Sequence, residues 1–138
     1  GSRKTDLHNN EILSAILIPK EAERGCSSFL KLGARKYLVI SIAMIACKIN
    51  LEKDIISEIA ISIGSCSAVA KRIKSLEKIL LGKSIMDDLE TTILNFNYKN
   101  YLSPINDIRG TNSYRLQVSK VLVKNSIIKT ISKFNLEG

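Results

Sequence analysis

The sequence predicts an α+β fold: an antiparallel sheet of three to four strands in the N-terminal half, packed against three C-terminal helices. Two observations predict it. Up to Ile63 the apolar residues are mostly branched aliphatics in short runs, bounded by Pro19, Gly33 or polar turns; beyond Gly64 they recur at three- and four-residue spacing. The length, 138 residues, suits one domain, and a domain of this size buries roughly two-thirds of the surface its unfolded chain exposes. Gly1 and Ser2 read as a cloning scar, which leaves 3–138 as a single domain.

Residues 12–18 (ILSAILI) have strand composition and stop at Pro19. Residues 20–28 are polar and contain Gly25, as a loop does, and Phe29 to Leu32 form a short second strand ended by Gly33. The run 39–49 (VISIAMIACKI) is a longer strand. Ile40, Ile42 and Met44 point to one face, and Ala43, Ile45, Cys47 and Ile49 to the other. With both faces apolar, it belongs in the middle of the sheet or under cover on both sides. Asn50 to Asp54 make a polar turn. Ile55 to Ile63 return antiparallel, with Ile59, Ile61 and Ile63 on one face and Glu58, Ala60 and Ser62 on the other.

Helical spacing follows. Val69, Ile73, Leu76 and Leu80 form a narrow apolar stripe opposite Lys71, Lys74 and Lys78, and Gly82 supplies the stop. Ile85, Leu89, Ile93 and Phe96 mark a second helix, with Asp87 and Asp88 in its first turn, where carboxylates favour the helix dipole. Residues 97–110 are a loop. Thr111 caps a last helix that runs to about Lys133, with Tyr114, Val118, Val121, Leu122, Ile127, Ile128 and Ile131 spread over a wide apolar arc.

Composition narrows the function. Hydrophobic residues at 45% and charged residues at 25% describe a globular chain. The longest apolar stretch, Tyr37 to Cys47, is too short to span a bilayer, and a polar start through Glu11 does not read as a signal peptide. Cys26, Cys47 and Cys66 are far apart, and His8 is the sole histidine. The chain alone therefore supplies no zinc or iron–sulfur site, and reduced cysteines fit a cytoplasmic protein. The net charge of +8 raises nucleic-acid binding, but the lysines of the last helix scatter around its axis and no reader motif accompanies the Lys71 to Lys78 stripe. A solvated face or a surface for an acidic partner subunit fits better. No nucleophile–base pair, phosphate-cradling glycine loop or catalytic carboxylate pair stands out. The residues describe an α+β domain without a self-contained active site.

Several short motifs, in order, carry a resemblance. They are Arg3-Lys4-Thr5, then Glu11-Ile12-Leu13 with Ile18-Pro19, then Phe29-Leu30-Lys31-Leu32-Gly33-Ala34-Arg35 running on to Ile40-Ser41. Leu81-Gly82-Lys83 and Asp107-Ile108-Arg109-Gly110-Thr111-Asn112-Ser113-Tyr114-Arg115 follow. Together they resemble the CO dehydrogenase flavoprotein C-terminal domain, which also closes the FAD-binding (medium) subunit of xanthine dehydrogenase-type molybdenum hydroxylases. Gly64-Ser65-Cys66-Ser67-Ala68 departs from the family's G-G-[VM]-A-P loop.

The resemblance implies part of an oxidoreductase, with FAD held mainly by N-terminal subdomains and this domain flanking the flavin ring. It implies Leu13 and Lys31 as flavin-contacting positions, and Leu32 to Val39 as the border of the cofactor entrance. It implies molybdenum-binding and iron–sulfur partner subunits, and electrons passing through FAD to an acceptor such as NAD. The fragment alone should be inactive and bind FAD weakly or not at all. Asp107, Arg109 and Arg115 fit a structural turn and helix start. The competing expectation is a non-catalytic interaction or scaffold module that keeps the fold without flavin.

Overall fold

The computed structural model describes residues 4–134, so Gly1, Ser2 and Arg3 lie outside the described residues. Four strands form one antiparallel sheet in the order β1-β2-β3-β4, and three helices pack on it. The strands are β1 (Cys26–Leu32), β2 (Ala43–Glu52), β3 (Ile55–Gly64) and β4 (Lys71–Arg72); the helices are α1 (Lys74–Leu80), α2 (Leu89–Asn95) and α3 (Asn112–Phe134). The predicted α+β plan stands.

β2 and β3 are the predicted hairpin, with β2 running from Ala43 to Glu52 rather than over 39–49. They pair through Glu52↔Ile55, which narrows the expected 50–54 turn to Lys53-Asp54, and a bulge interrupts the register at Asn50/Leu51. Ala43, Ile45, Cys47 and Ile49 are buried under the helices, with Ile61 and Ile63 beside them. β2 is central as expected, but only one of its faces is covered: Ala46 is exposed on the other. β1 extends three residues further N-terminally than the predicted 29–32, because Gly25 turns the chain tightly against β2. Gly25 has φ +79°, and a Cβ there would sit 2.3 Å from the Ile49 carbonyl oxygen.

The predicted strand 12–18 does not form. Its aliphatics are exposed (Ile12, Leu13, Ile16, Leu17 and Ile18), and no backbone ladder joins it to the sheet. Strand propensity without a pairing partner does not make a strand. Residues 20–23, expected as loop, form a short 3-10 turn.

The helix predicted from Val69 starts later, at Lys74. The unpaired edge of β3 takes the earlier residues: Lys71 and Arg72 pair with Ile63 and Ser62 as β4. The Ile73 amide then donates to the Ile61 carbonyl (3.0 Å), and the Ile61 amide donates to Glu77 Oε1 (2.8 Å). Ile73, Leu76 and Leu80 are fully buried as the stripe required, whereas Val69 is exposed. The three lysines are not one helical face, since Lys71 lies on a strand.

α2 begins at Leu89 rather than near Ile85. The Ile85 amide is used by the Asp54 carbonyl (2.8 Å), and Asp88 caps the helix by accepting from the Thr91 amide (2.9 Å). Phe96 then packs edge-on to Tyr98 and stacked on Tyr101. Thr111 caps α3 as predicted, its Oγ1 accepting from the Tyr114 amide (3.2 Å).

The face of α3 that meets the sheet departs in part from the expected apolar arc: Ile127 is buried and Val118, Leu122 and Ile131 pack against the core. Tyr114, Val121 and Ile128 are exposed, and the buried line is Arg115, Leu116, Ser119, Val123, Ser126, Ile127 and Thr130. Small hydroxyl side chains let the helix lie close on β1 and β2, and they find partners there.

Candidate functional site

The end of β1 and the 33–41 segment carry the sequence-predicted cofactor residue Lys31. Alternation along β1 buries Cys26 and Ser28 and turns Ser27, Phe29 and Lys31 to the face opposite the helices. Lys31 pairs across to Met44, and its Nζ donates to the Val39 carbonyl at 2.9 Å. Arg35 donates through Nε (3.2 Å) and Nη2 to the neighbouring Leu38 carbonyl. Two cations thus fold the segment back on successive carbonyls and hold Leu38 at φ +48°, with its side chain in solvent. Tyr37 is also exposed, with Lys36 Nζ 5.2 Å from its ring centroid. The result is a stiffened, cationic, partly apolar rim at one end of the open sheet face. Arg35 lies inside the motif around Lys31, and its guanidinium-to-carbonyl role carries no sequence signature beyond the motif itself.

Leu13, the other predicted cofactor residue, lies in the exposed arm 12–18. No hydrogen bond joins that arm to Lys31 or to the sheet, so the structure does not bring the two positions into one bonded unit.

Asp107, Arg109 and Arg115 do come together. Asp107 and Gly110 bridge across the turn. Asp107 Oδ1 accepts from the Arg109 amide (2.9 Å) and from Arg115 Nη2 (2.8 Å), and Oδ2 accepts from Arg109 Nη1 (2.8 Å). Arg115 is buried at 2% exposure and donates through Nη1 to the carbonyls of Ile42 (2.6 Å) and Ser65 (3.2 Å). The Arg115 hydrogen bond, helped by Arg109, holds the Asp107 carboxyl down at about 2 against the opposing effect of desolvation. These residues tie the start of β2, the loop after β3 and the start of α3. That is the structural role expected of them. A cavity of about 480 Å³ opens beside them, lined by Ile40, Ser65, Ser67, Asp107 and Arg109 among others.

Under the sheet runs a hydroxyl seam that the apolar reading of α3 missed. Ser28 Oγ lies 2.7 Å from Ser126 Oγ and 2.8 Å from Thr130 Oγ1, and Ser119 Oγ donates to the Arg115 carbonyl (2.8 Å). The signal was present as Arg115, Ser119, Ser126 and Thr130 on one helical face. Burial pushes the Cys47 thiol up to about 12 and raises Cys66 too, so neither presents a thiolate. Among the described residues no three His, Cys, Asp or Glu gather as metal ligands, and no helix is long and apolar enough to cross a membrane.

A glyceraldehyde dehydrogenase medium chain from Sulfolobus acidocaldarius is 29% identical over 122 residues, which is 88% of this chain and 42% of that protein. The fold superposes on quinoline 2-oxidoreductase from Pseudomonas putida 86 with TM-score 0.67 and 21% identity, over 78% of this chain and 37% of the other. It superposes equally on a cyanide-inactivated Cu,Mo-CO dehydrogenase, with TM-score 0.67 and 16% identity, over 76% of this chain and 36% of the other. The chain therefore spans about two-fifths of the length of the relatives it matches. Residues 28–130, from the middle of β1 to near the end of α3, match the family described as CO dehydrogenase flavoprotein C-terminal domain, and the chain belongs to that family.

Proposed function

We propose that this chain is the C-terminal domain of the FAD-binding medium subunit of a xanthine dehydrogenase-like molybdenum hydroxylase, and that its Lys31 end flanks the flavin. Family membership supports the subunit assignment. The observation that carries the placement is Lys31 itself: an exposed cation at the end of β1, fixed by the Val39 carbonyl beside a rim of Arg35, Tyr37 and Leu38.

These residues fit one part of FAD and not the rest. No glycine-rich loop opens a helix among the described residues, so no helix N-terminus near Lys31 cradles the FAD pyrophosphate. A ring edge fits better, with Lys31 supplying positive charge and Leu13, on the apolar arm, supplying contact. When bound, the flavin supplies the redox chemistry. The chain's own residues hold a cation at a fixed place, keep it there through Val39, and present an apolar border that limits water. In the whole enzyme, electrons would come from iron–sulfur and molybdenum subunits and leave to an acceptor such as NAD, in the cytoplasm.

Titrating FAD into the 138-residue chain, with flavin fluorescence as the readout, tests the division of labour. No stoichiometric quenching is expected from the chain alone. Quenching is expected when flavin-binding domains are joined to its N-terminal side. Stoichiometric quenching of the flavin by the chain alone contradicts the reading.

A further inference from the structure

The open face of the sheet holds another feature, further along β1 than Lys31. Strand register places Phe29, Ala46 and Ser62 side by side on this face, next to Ser27, Lys48 and Ala60. The small side chains Ala46, Ala60 and Ser62 make a floor, and a depression of about 380 Å³ lies over it. That is within the size range of small-ligand pockets. Phe29 stands beside the floor, 57% exposed on a strand where burial would have been available on the other face.

The charged lining is wholly cationic: Lys48, Arg72, Lys129 and Lys133. Lys48 and Arg72 each have a carboxylate partner, Glu58 at 3.8 Å and Glu77 at 2.7 Å. The other two do not. They come from α3, on the opposite side of the sheet, and pass the free edge of β1; Lys133 Nζ donates to the Ser27 carbonyl at 2.5 Å. Lys129 makes no hydrogen bond or ion pair among the described residues. By contrast, the apolar groove between α2 and α3 is rimmed by Asp87, Asp88 and Glu90, and the cavity beside Arg115 contains Asp107.

We infer that this depression binds a nucleoside diphosphate or triphosphate, with phosphates between Lys129 and Lys133 and the base against Phe29. Lysine ammonium groups are compact donors suited to phosphate oxygens. An exposed aromatic ring accepts any base through its face. Floor residues no larger than serine leave room for the ligand to lie flat. The inference does not rest on the flavin reading, because it concerns the chain by itself without flavin.

Calorimetry on the 138-residue chain at low ionic strength, with ADP, pyrophosphate and adenosine as probes, tests it. ADP should bind saturably and pyrophosphate should compete for the same site. Lys129→Glu, which removes no bond within the fold, should weaken ADP by about tenfold or more. Phe29→Ala should weaken ADP several-fold and leave pyrophosphate unchanged. A thermal melt of each variant confirms that the fold is intact, and Lys129→Ala replaces Lys129→Glu if the latter unfolds. Absence of saturable ADP binding overturns the inference. So does undiminished ADP binding by the Lys129 variant. Binding of a single-stranded oligonucleotide without any binding of ADP also overturns it, in favour of a nucleic-acid surface.

Discussion

Arg115, near the start of α3, donates through Nη1 to the carbonyl of Ile42, 2.6 Å away and 73 residues earlier in the chain. The same guanidinium reaches Asp107 and the Ser65 carbonyl. One side chain thereby closes the end of the sheet against the helix. Arg115→Met should therefore cost about 3 kcal/mol or more, because it strands buried carbonyls and unpairs Asp107. Urea unfolding midpoints check this; a loss under about 1 kcal/mol contradicts it.

The Asp107 partner gives this cluster a pH dependence. Its folded carboxyl titrates at about 2, below the ordinary value of 3.8. The contribution is thus complete above about pH 4 and is lost as pH falls through about 2. Wild type should lose stability over that window faster than Asp107→Asn, and the two should converge near the bottom of it. Parallel urea titrations at stepwise lower pH provide the measurement, and a constant gap down to about pH 2 would count against the pairing.

The hydroxyl seam should behave as a unit. Ser28→Ala should cost about 1–2 kcal/mol, because Ser126 and Thr130 lose a buried partner. Ser28→Ala with Thr130→Val should cost clearly less than the sum of the single changes, since replacing both partners removes the unmet polar group. A double-mutant cycle measures the difference; strict additivity would show that the seam is not coupled.

Leu13 gives the opposite expectation. It is 69% exposed and unpaired, so Leu13→Glu should leave the stability of this chain within about 0.5 kcal/mol. The same change should weaken flavin binding in a subunit that also carries the flavin-binding domains. Chemical denaturation and flavin retention on gel filtration separate the two effects.

Legibility differed between elements for identifiable reasons. The β2–β3 hairpin was readable because its alternation is strong and its partner is local in sequence. The β4 edge was not, because Lys71 and Arg72 have no strand composition and pair only because β3 leaves Ser62 and Ile63 without a neighbour. Residues 12–18 had the composition of a strand and no partner in the described chain. On α3, Val118, Leu122, Ile127 and Ile131 of the predicted arc pack on the core, while Tyr114, Val121 and Ile128 do not, since close helix-to-sheet approach favoured Ser119, Ser126 and Thr130. The Asp107–Arg115 cluster was visible as a motif, while the Ile42 and Ser65 carbonyls it serves are distant in sequence. Lys31 was reached through a resemblance; its bond to Val39 required the structure.

In the proposed subunit, Lys31 places a positive charge beside the flavin. In a subunit carrying this domain together with its flavin-binding domains, the two-electron midpoint potential of the bound flavin should be compared between wild type and Lys31→Met. Loss of the cation should lower the potential by roughly 20–40 mV, equivalent to about 1–2 kcal/mol for two electrons, with unfolding midpoints unchanged. An unchanged potential in a folded, flavin-replete variant would contradict the placement.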